Sequence, residues 1–159
     1  MDVVSFTINH DDLLAGVYVS RLDTIGDETL TTFDIRMKRP NIEPCMGTAE
    51  IHTLEHLMAV YIRSEESGWA DKMIYVGPMG CRTGMYMIVK DDVSPEEILP
   101  LLIDTFNYIK NFEGTIPATV SIECGNYLDH NLTFAQIAAK EYLDVLNNIT
   151  PDRMIYPKR

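Results

Sequence analysis

Two imidazoles and a carboxylate stand within five residues in the stretch His52-Thr53-Leu54-Glu55-His56. On a helix, four residues advance about 400°, so His52 and His56 emerge on one face, one turn apart. That separation lets two nitrogens reach one ion at about 2.0–2.1 Å. Glu55 lies about 60° behind His52 around the axis. It can move a proton beside such an ion without having to bind it. The bland alternative is a solvated helix face that happens to carry histidines. The grouping argues against it, because half of the chain's four histidines fall here. The row His52, Glu55, His56, Ala59 also adjoins an apolar stripe. The expectation is a metal-dependent enzyme centred on these residues.

Two histidines need a third ligand from elsewhere. Cys124, Glu123, Asp129 and His130 are the candidates. Cys124 offers a thiolate, and Gly125 after it permits close backbone approach. Two histidines and one cysteine would leave a fourth position open, as catalysis requires. A buried strand thiol is the competing account of Cys124. A second cysteine, Cys81, sits in Pro78-Met79-Gly80-Cys81-Arg82-Thr83-Gly84. The glycines allow a tight loop, and the neighbouring Arg82 would favour the thiolate if its guanidinium turns that way. Such a thiolate could serve as base, nucleophile or ligand. Cys45, in a Pro-Cys-Met turn, has no evident partner.

The elements that must hold these groups follow from periodicity. Residues 17–22 and 30–37 read as strands. In the second, Thr31, Phe33, Ile35 and Met37 face one way, and Thr32, Asp34, Arg36 and Lys38 the other. Thr48 is the expected N-cap of a helix over about 49–66, with Ile51, Leu54, Met58, Tyr61 and Ile62 as its apolar stripe. Strands are expected at 73–76 and 85–89. Ser94-Pro95-Glu96-Glu97 opens a second helix with a capping box and a proline in its first turn. Pro100 predicts a kink there or a later start. Residues 118–123 read as a further strand, and Thr133 to Gln136 as the cap of a helix running to about 147. The mixed order favours an α+β fold, an antiparallel sheet packed against helices, over a doubly wound parallel sheet.

At 159 residues the chain is expected to form a single domain. Its net charge of −11 would repel phosphate backbones, which argues against nucleic acid as a partner. No apolar run approaches the roughly 18 residues that span a bilayer. Three widely spaced cysteines do not suggest a disulfide framework. The N-terminal residues lack the layout of a signal peptide. No membrane association and a cytoplasmic location are therefore expected.

With these residues in view, the chain resembles the S-ribosylhomocysteine lyase (LuxS) family. The resemblance rests on His52-Thr53-Leu54-Glu55-His56, on Gly77 to Gly84, and on Glu123-Cys124-Gly125-Asn126-Tyr127-Leu128. Ser5-Phe6 with His10, and Phe33-Asp34-Ile35-Arg36, match as well. These blocks run in family order from residue 5 to about 147. The resemblance implies a LuxS/metallohydrolase-like sandwich, homodimeric, with two identical active sites at the subunit interface. It implies His52, His56 and Cys124 as metal ligands, with water or substrate in the fourth position. The implied cofactor is ferrous iron, Fe2+, one per subunit, replaceable by Zn2+ or Co2+. It implies Glu55 and Cys81 as the acid/base pair, and Ser5, His10 and Arg36 as substrate contacts. The implied reaction cleaves the thioether of S-ribosylhomocysteine to homocysteine and 4,5-dihydroxypentane-2,3-dione, the precursor of autoinducer-2. Three positions depart from the family's usual pattern. Asn9 stands where Asp is frequent, Thr32 where Lys is, and Tyr75 where Asp is.

Two other readings compete. The order His52-x-x-Glu55-His56 also occurs in inverted zinc peptidases, whose third ligand is a distant carboxylate such as Glu123. The other is a non-catalytic module with a structural metal, which would need four protein ligands. The identity of the third ligand separates the first of these from the lyase.

Overall fold

In the computed structural model of the chain, residue 3 and residues 6–158 are described. Strands β1 (Gly16–Ile25) and β2 (Glu28–Arg36) form a hairpin around Gly26, whose φ of 63° lies in the left-handed region that glycine adopts without strain. Helix α1 (Thr48–Ile62) leads to β3 (Met73–Pro78) and β4 (Gly84–Lys90). Helices α2 (Pro95–Lys110) and α3 (Leu132–Asn147) complete the order. The four strands make one antiparallel sheet in the order β1-β2-β4-β3. This is an α+β arrangement, as expected.

The strand period assigns the faces. Phe33 and Ile35 of β2, with Met85, Met87 and Val89 of β4, are buried against Leu54, Leu57 and Met58 of α1 and Leu102 and Phe106 of α2. The opposite face was expected to be polar, and it is, but part of it is covered. Asp34 and Arg36 are almost fully buried there. Tyr18 from β1 stacks on Tyr156 from the C-terminal segment, ring centres 4.8 Å apart, and Tyr156 donates its hydroxyl to Asp34 Oδ2 at 2.9 Å. Asp34 in turn grips Arg36 through Nε at 3.0 Å and Nη2 at 2.6 Å. Burial, and next the Asp34 charge, push the Tyr18 hydroxyl up to about 12. Farther along the same face, Thr32 pairs with Ile88 and Ile88 with Tyr75. Two of the three departures thus share one row, where they line a shallow cavity of about 280 Å³.

Several boundaries differ from the sequence reading. Helix α1 ends at Ile62 instead of Glu66, and a separate short turn at Glu65–Ser67 closes on Gly68. Gly47, not Thr48, is its N-cap, and the Glu50 carboxylate accepts the Gly47 N–H at 2.9 Å. Helix α2 starts at its capping box as expected and continues past Pro100 to Lys110, so the later start is excluded. A proline there forfeits its N–H bond and crowds the carbonyl one turn back, and the helix is held nonetheless by buried Ile98, Leu101, Leu102, Thr105, Phe106 and Ile109. Helix α3 is capped by Asn131, whose side chain accepts the Phe134 N–H, so the Thr133 cap is corrected. The strand expected at 118–123 does not exist. Ala118 has φ 58°, outside the strand region, and the N–H groups of Glu123 and Cys124 both turn back to the Val120 carbonyl. This irregular segment wraps α1, and the centre described next depends on it.

Candidate metal centre and thiol cavity

Helix α1 has a fully buried face at Ile51, Leu54, Leu57 and Met58, beside which His52, Glu55, His56 and Ala59 are half-buried. The histidines therefore stand at the core boundary, where rings can be packed while one nitrogen stays accessible. His52 Nδ1 meets the Asp129 carbonyl at 2.9 Å, and His56 Nδ1 meets the Pro117 carbonyl at 2.8 Å. A carbonyl only accepts, so both Nδ1 atoms must carry hydrogen. In the neutral ring this puts the lone pair on Nε2, the form in which imidazole binds a cation, and His52 Nε2 faces the sulfur described next. The carbonyls come from the wrapping segment, and that is why a strand there would have spoiled the site.

The same segment brings in a sulfur. Cys124 Sγ lies 3.4 Å from His52 Nε2, and it accepts the Asn126 N–H at 3.4 Å. Tetrahedral bonds of about 2.05 Å to nitrogen and 2.3 Å to sulfur would put the two donors about 3.6 Å apart. The observed separation is close to that edge. The ligand atoms of His52, His56, Cys124 and His130 all lie within 4.8 Å of one another. Of the candidate third ligands, Glu123 is exposed and outside this cluster, and Asp129 contributes its backbone. His130 joins as a fourth group. Its ring stacks on His52 at 4.0 Å and meets His56 at 4.7 Å. Burial, then the two neighbouring imidazoles, hold its pKa below the usual histidine value. A nitrogen-rich set with one thiolate fits a borderline-soft divalent cation, and the two polarised Nδ1–H groups are the supports such a site needs. Glu55 is half-buried on the same helix, and its carboxylate makes no hydrogen bond or ion pair with another described residue.

Cys81 belongs to a second cluster. A cavity of about 400 Å³ is lined by His10, Arg36, Cys45, Cys81 and Thr83 among others. Nothing in the pattern around Cys45 points to a place there. Cys81 Sγ lies 3.1 Å from Thr83 Oγ1 and 3.7 Å from Arg36 Nη1. Arg36 also donates to Thr83 Oγ1 at 2.7 Å, so the Thr83 hydrogen is free to turn to the sulfur. Burial pushes the Cys81 thiol up, but the Thr83 hydroxyl and amide and the Arg36 charge outweigh it, and the pKa falls below the ordinary thiol value. The cation that activates the thiol is therefore Arg36 and not Arg82, whose guanidinium is turned away to the Met46 carbonyl at 3.2 Å. Four of the five Arg36 N–H groups are spent on Asp34, Thr83 and Cys81. His10 lines the cavity with Nδ1 at 3.0 Å from the Ile8 carbonyl. Ser5 lies outside the described residues.

The two clusters sit on different sides of the sheet. Cys81 hangs from Arg36, on the face that Asp34 shares, while α1 packs on the face of Phe33 and Ile35. Among the described residues, no hydrogen bond, ion pair or ring contact joins the Cys81 cluster to the histidines.

Comparison with known proteins places this arrangement. A family model described as S-Ribosylhomocysteinase (LuxS) matches residues 3–152. The chain is similar to S-ribosylhomocysteine lyase of Clostridium beijerinckii, 53% identical over 156 residues and 98% of each chain. It is 48% identical to the protein of that name from Phocaeicola vulgatus over 158 residues, 99% of this chain and 98% of the other. With that of Clostridium acetobutylicum it shares 49% identity over 156 residues, again 98% of each. A likeness that runs over nearly the full length, on a fold that gathers His52, His56 and Cys124 around one point, means that the chain belongs to the S-ribosylhomocysteinase (LuxS) family.

Proposed function

We propose that this protein is a metal-dependent carbon–sulfur lyase that cleaves S-ribosylhomocysteine to homocysteine and 4,5-dihydroxypentane-2,3-dione. The observation that carries the reading is the pair of clusters: a tripod of His52, His56 and Cys124 whose donor atoms converge, and a separate, activated Cys81 in its own cavity. The metal is Fe2+, one per subunit, with Zn2+ or Co2+ able to replace it. His52 and His56 would hold it through Nε2 and Cys124 through Sγ. When bound it supplies Lewis acidity toward a sugar oxygen, which acidifies the neighbouring C–H bonds.

The side chains do the rest. The Cys81 thiolate takes a proton from carbon beside the carbonyl and returns it to the next carbon. Glu55, with no other partner among the described residues, shuttles protons between the sugar oxygens. Repeated transfers move the carbonyl along the chain until it lies β to the thioether. A base then takes the proton from the carbon between the carbonyl and the C–S bond. That C–H electron pair becomes a C=C bond as the C–S pair leaves with sulfur as the homocysteine thiolate. The enol left behind tautomerises to the dione. No oxidation is required, so the redox-inert Zn2+ can serve. Thr83 and Arg36 favour the thiolate of Cys81, while Arg36, His10 and Ser5 are assigned to substrate contact.

The position of the clusters supports a homodimer with two interface sites. Clusters on opposite sides of one sheet cannot meet around one small substrate, whereas the tripod of one subunit can face the Cys81 of its partner. Large exposed apolar side chains flank the tripod, with Ile122 at 91% and Leu128 at 80%, as expected of a surface awaiting cover. The inverted zinc peptidase is disfavoured, since Glu123 stays out of the cluster and Cys124 is in it.

The test is thiol release from S-ribosylhomocysteine by the purified protein. Release that a chelator abolishes and Fe2+ restores is the expected result. Peptide cleavage with no thiol release would instead support the peptidase.

A further inference from the structure

His130 plays no part in the tripod, yet its geometry is specific. Its Nδ1 is 3.1 Å from Thr53 Oγ1. That hydroxyl donates to the Ala49 carbonyl at 2.8 Å and accepts the Asn131 N–H at 3.0 Å. With the hydroxyl hydrogen already committed along the helix, Nδ1 of His130 must be the donor. The hydrogen is therefore on Nδ1 and Nε2 carries a bare lone pair. That Nε2 is buried and has no hydrogen-bond partner among the described residues. An orphaned buried acceptor calls for a partner that is absent from the protein itself. The four donor atoms of the cluster are separated by up to 4.8 Å, while tetrahedral edges for nitrogen and sulfur are about 3.3–3.6 Å. As it stands the set is wider than a closed four-ligand shell, and His130 is the member that the tripod does not need.

We propose that His130 is a positioning residue of the metal centre: its Nε2 accepts a hydrogen bond from the O–H of whatever occupies the fourth coordination position, and so selects neutral hydroxyl-bearing ligands over anions. The proposal rests on the metal-centre reading above and deepens it. A sugar hydroxyl or water satisfies the lone pair. An anion brings no hydrogen and places its own charge against it. Thr53 fixes the tautomer, and the stack on His52 fixes the ring plane.

The experiment uses the full chain loaded with Co2+ and titrated with thiocyanate, followed by the visible bands of the metal. His130→Phe keeps a ring on His52 but offers no acceptor. It is expected to bind thiocyanate about tenfold more tightly than the native protein, the scale of one unmatched polar group. His130→Gln, which can present an amide oxygen, is expected to stay near native affinity. One Co2+ per chain in both variants shows that the tripod and fold persist. Unchanged thiocyanate affinity in His130→Phe overturns the proposal, as does a third imidazole in the X-ray absorption of the loaded native protein. Loss of metal from both variants overturns it too, since His130 would then be a ligand. None of these measurements involves the substrate, so failure of thioether cleavage would remove the function and leave this result standing.

Discussion

At the scale of single residues, the chemistry depends on which atoms carry hydrogen. The tripod is usable because two backbone carbonyls oblige His52 and His56 to present Nε2. The prediction for Cys124→Ala is loss of the bound metal, read by metal analysis after gel filtration, whereas Cys81→Ala retains it and loses turnover. Full metal content in the first variant would remove Cys124 from the ligand set. The Cys81 thiol is expected to alkylate with a midpoint below that of an ordinary thiol. The sign follows from the depressed pKa: the thiolate persists as the pH is lowered and is lost only below the ordinary midpoint. Thr83→Val removes one donor to the sulfur, so its iodoacetamide rate profile should move to higher pH. An unmoved profile would mean that Thr83 does not hold the thiolate.

Residue types were the most legible part of the sequence. The helical spacing of His52 and His56 needs only local geometry, and so does the Ser94 capping box. Proximity in sequence points to Arg82 as the partner of Cys81, but its guanidinium turns to the Met46 carbonyl instead. The actual guanidinium, Arg36, comes from another strand across the sheet.

At the scale of elements, the decisive piece is the irregular stretch between α2 and α3. Its Ala-Thr-Val-Ser-Ile-Glu sequence has the composition of a strand. Yet its polar groups go to His56, to its own turns and, at Asn131, to the first turn of α1. Composition cannot show that a segment's carbonyls are reserved for histidines far away in the chain. The Asn131 cap ties this stretch to α3, and Asn131→Ala should cost about 1 kcal/mol of unfolding free energy in urea titrations. Gly84 performs a different service. A Cβ there would lie 2.2 Å from the Ile35 carbonyl oxygen and 3.1 Å from the Arg36 Cα. Gly84→Ala must push β4 away from β2 at the point where Arg36 and Thr83 hold Cys81. The expected cost is about 1–3 kcal/mol, with a fall in turnover, measured by thermal unfolding and thiol release. Stability equal to that of the native chain would show that the sheet yields there without strain.

At the scale of the whole molecule, the α+β class was legible from element order, and the sheet order β1-β2-β4-β3 emerged only with the structure. The burial of Asp34 and Arg36 was also hidden, because the cover comes from Tyr156 at the far end of the chain. Removing one member of that pair leaves a buried charge unmatched. Asp34→Asn is expected to destabilise by roughly 3 kcal/mol or more, and an effect under 1 kcal/mol would contradict the assigned ion pair.

The arrangement of the molecule also decides whether one subunit is enough for catalysis. Cys81→Ala and Cys124→Ala each disable a different half of the proposed site, so each alone should release no thiol from S-ribosylhomocysteine. Co-expressed in equal amounts, half of the dimers are mixed, and each mixed dimer rebuilds one site of two. The measurement is the rate of homocysteine release by that co-expressed preparation. The account predicts about one quarter of the native rate per chain, as the statistics of a two-fold dimer require. A preparation as inactive as either variant alone would contradict it.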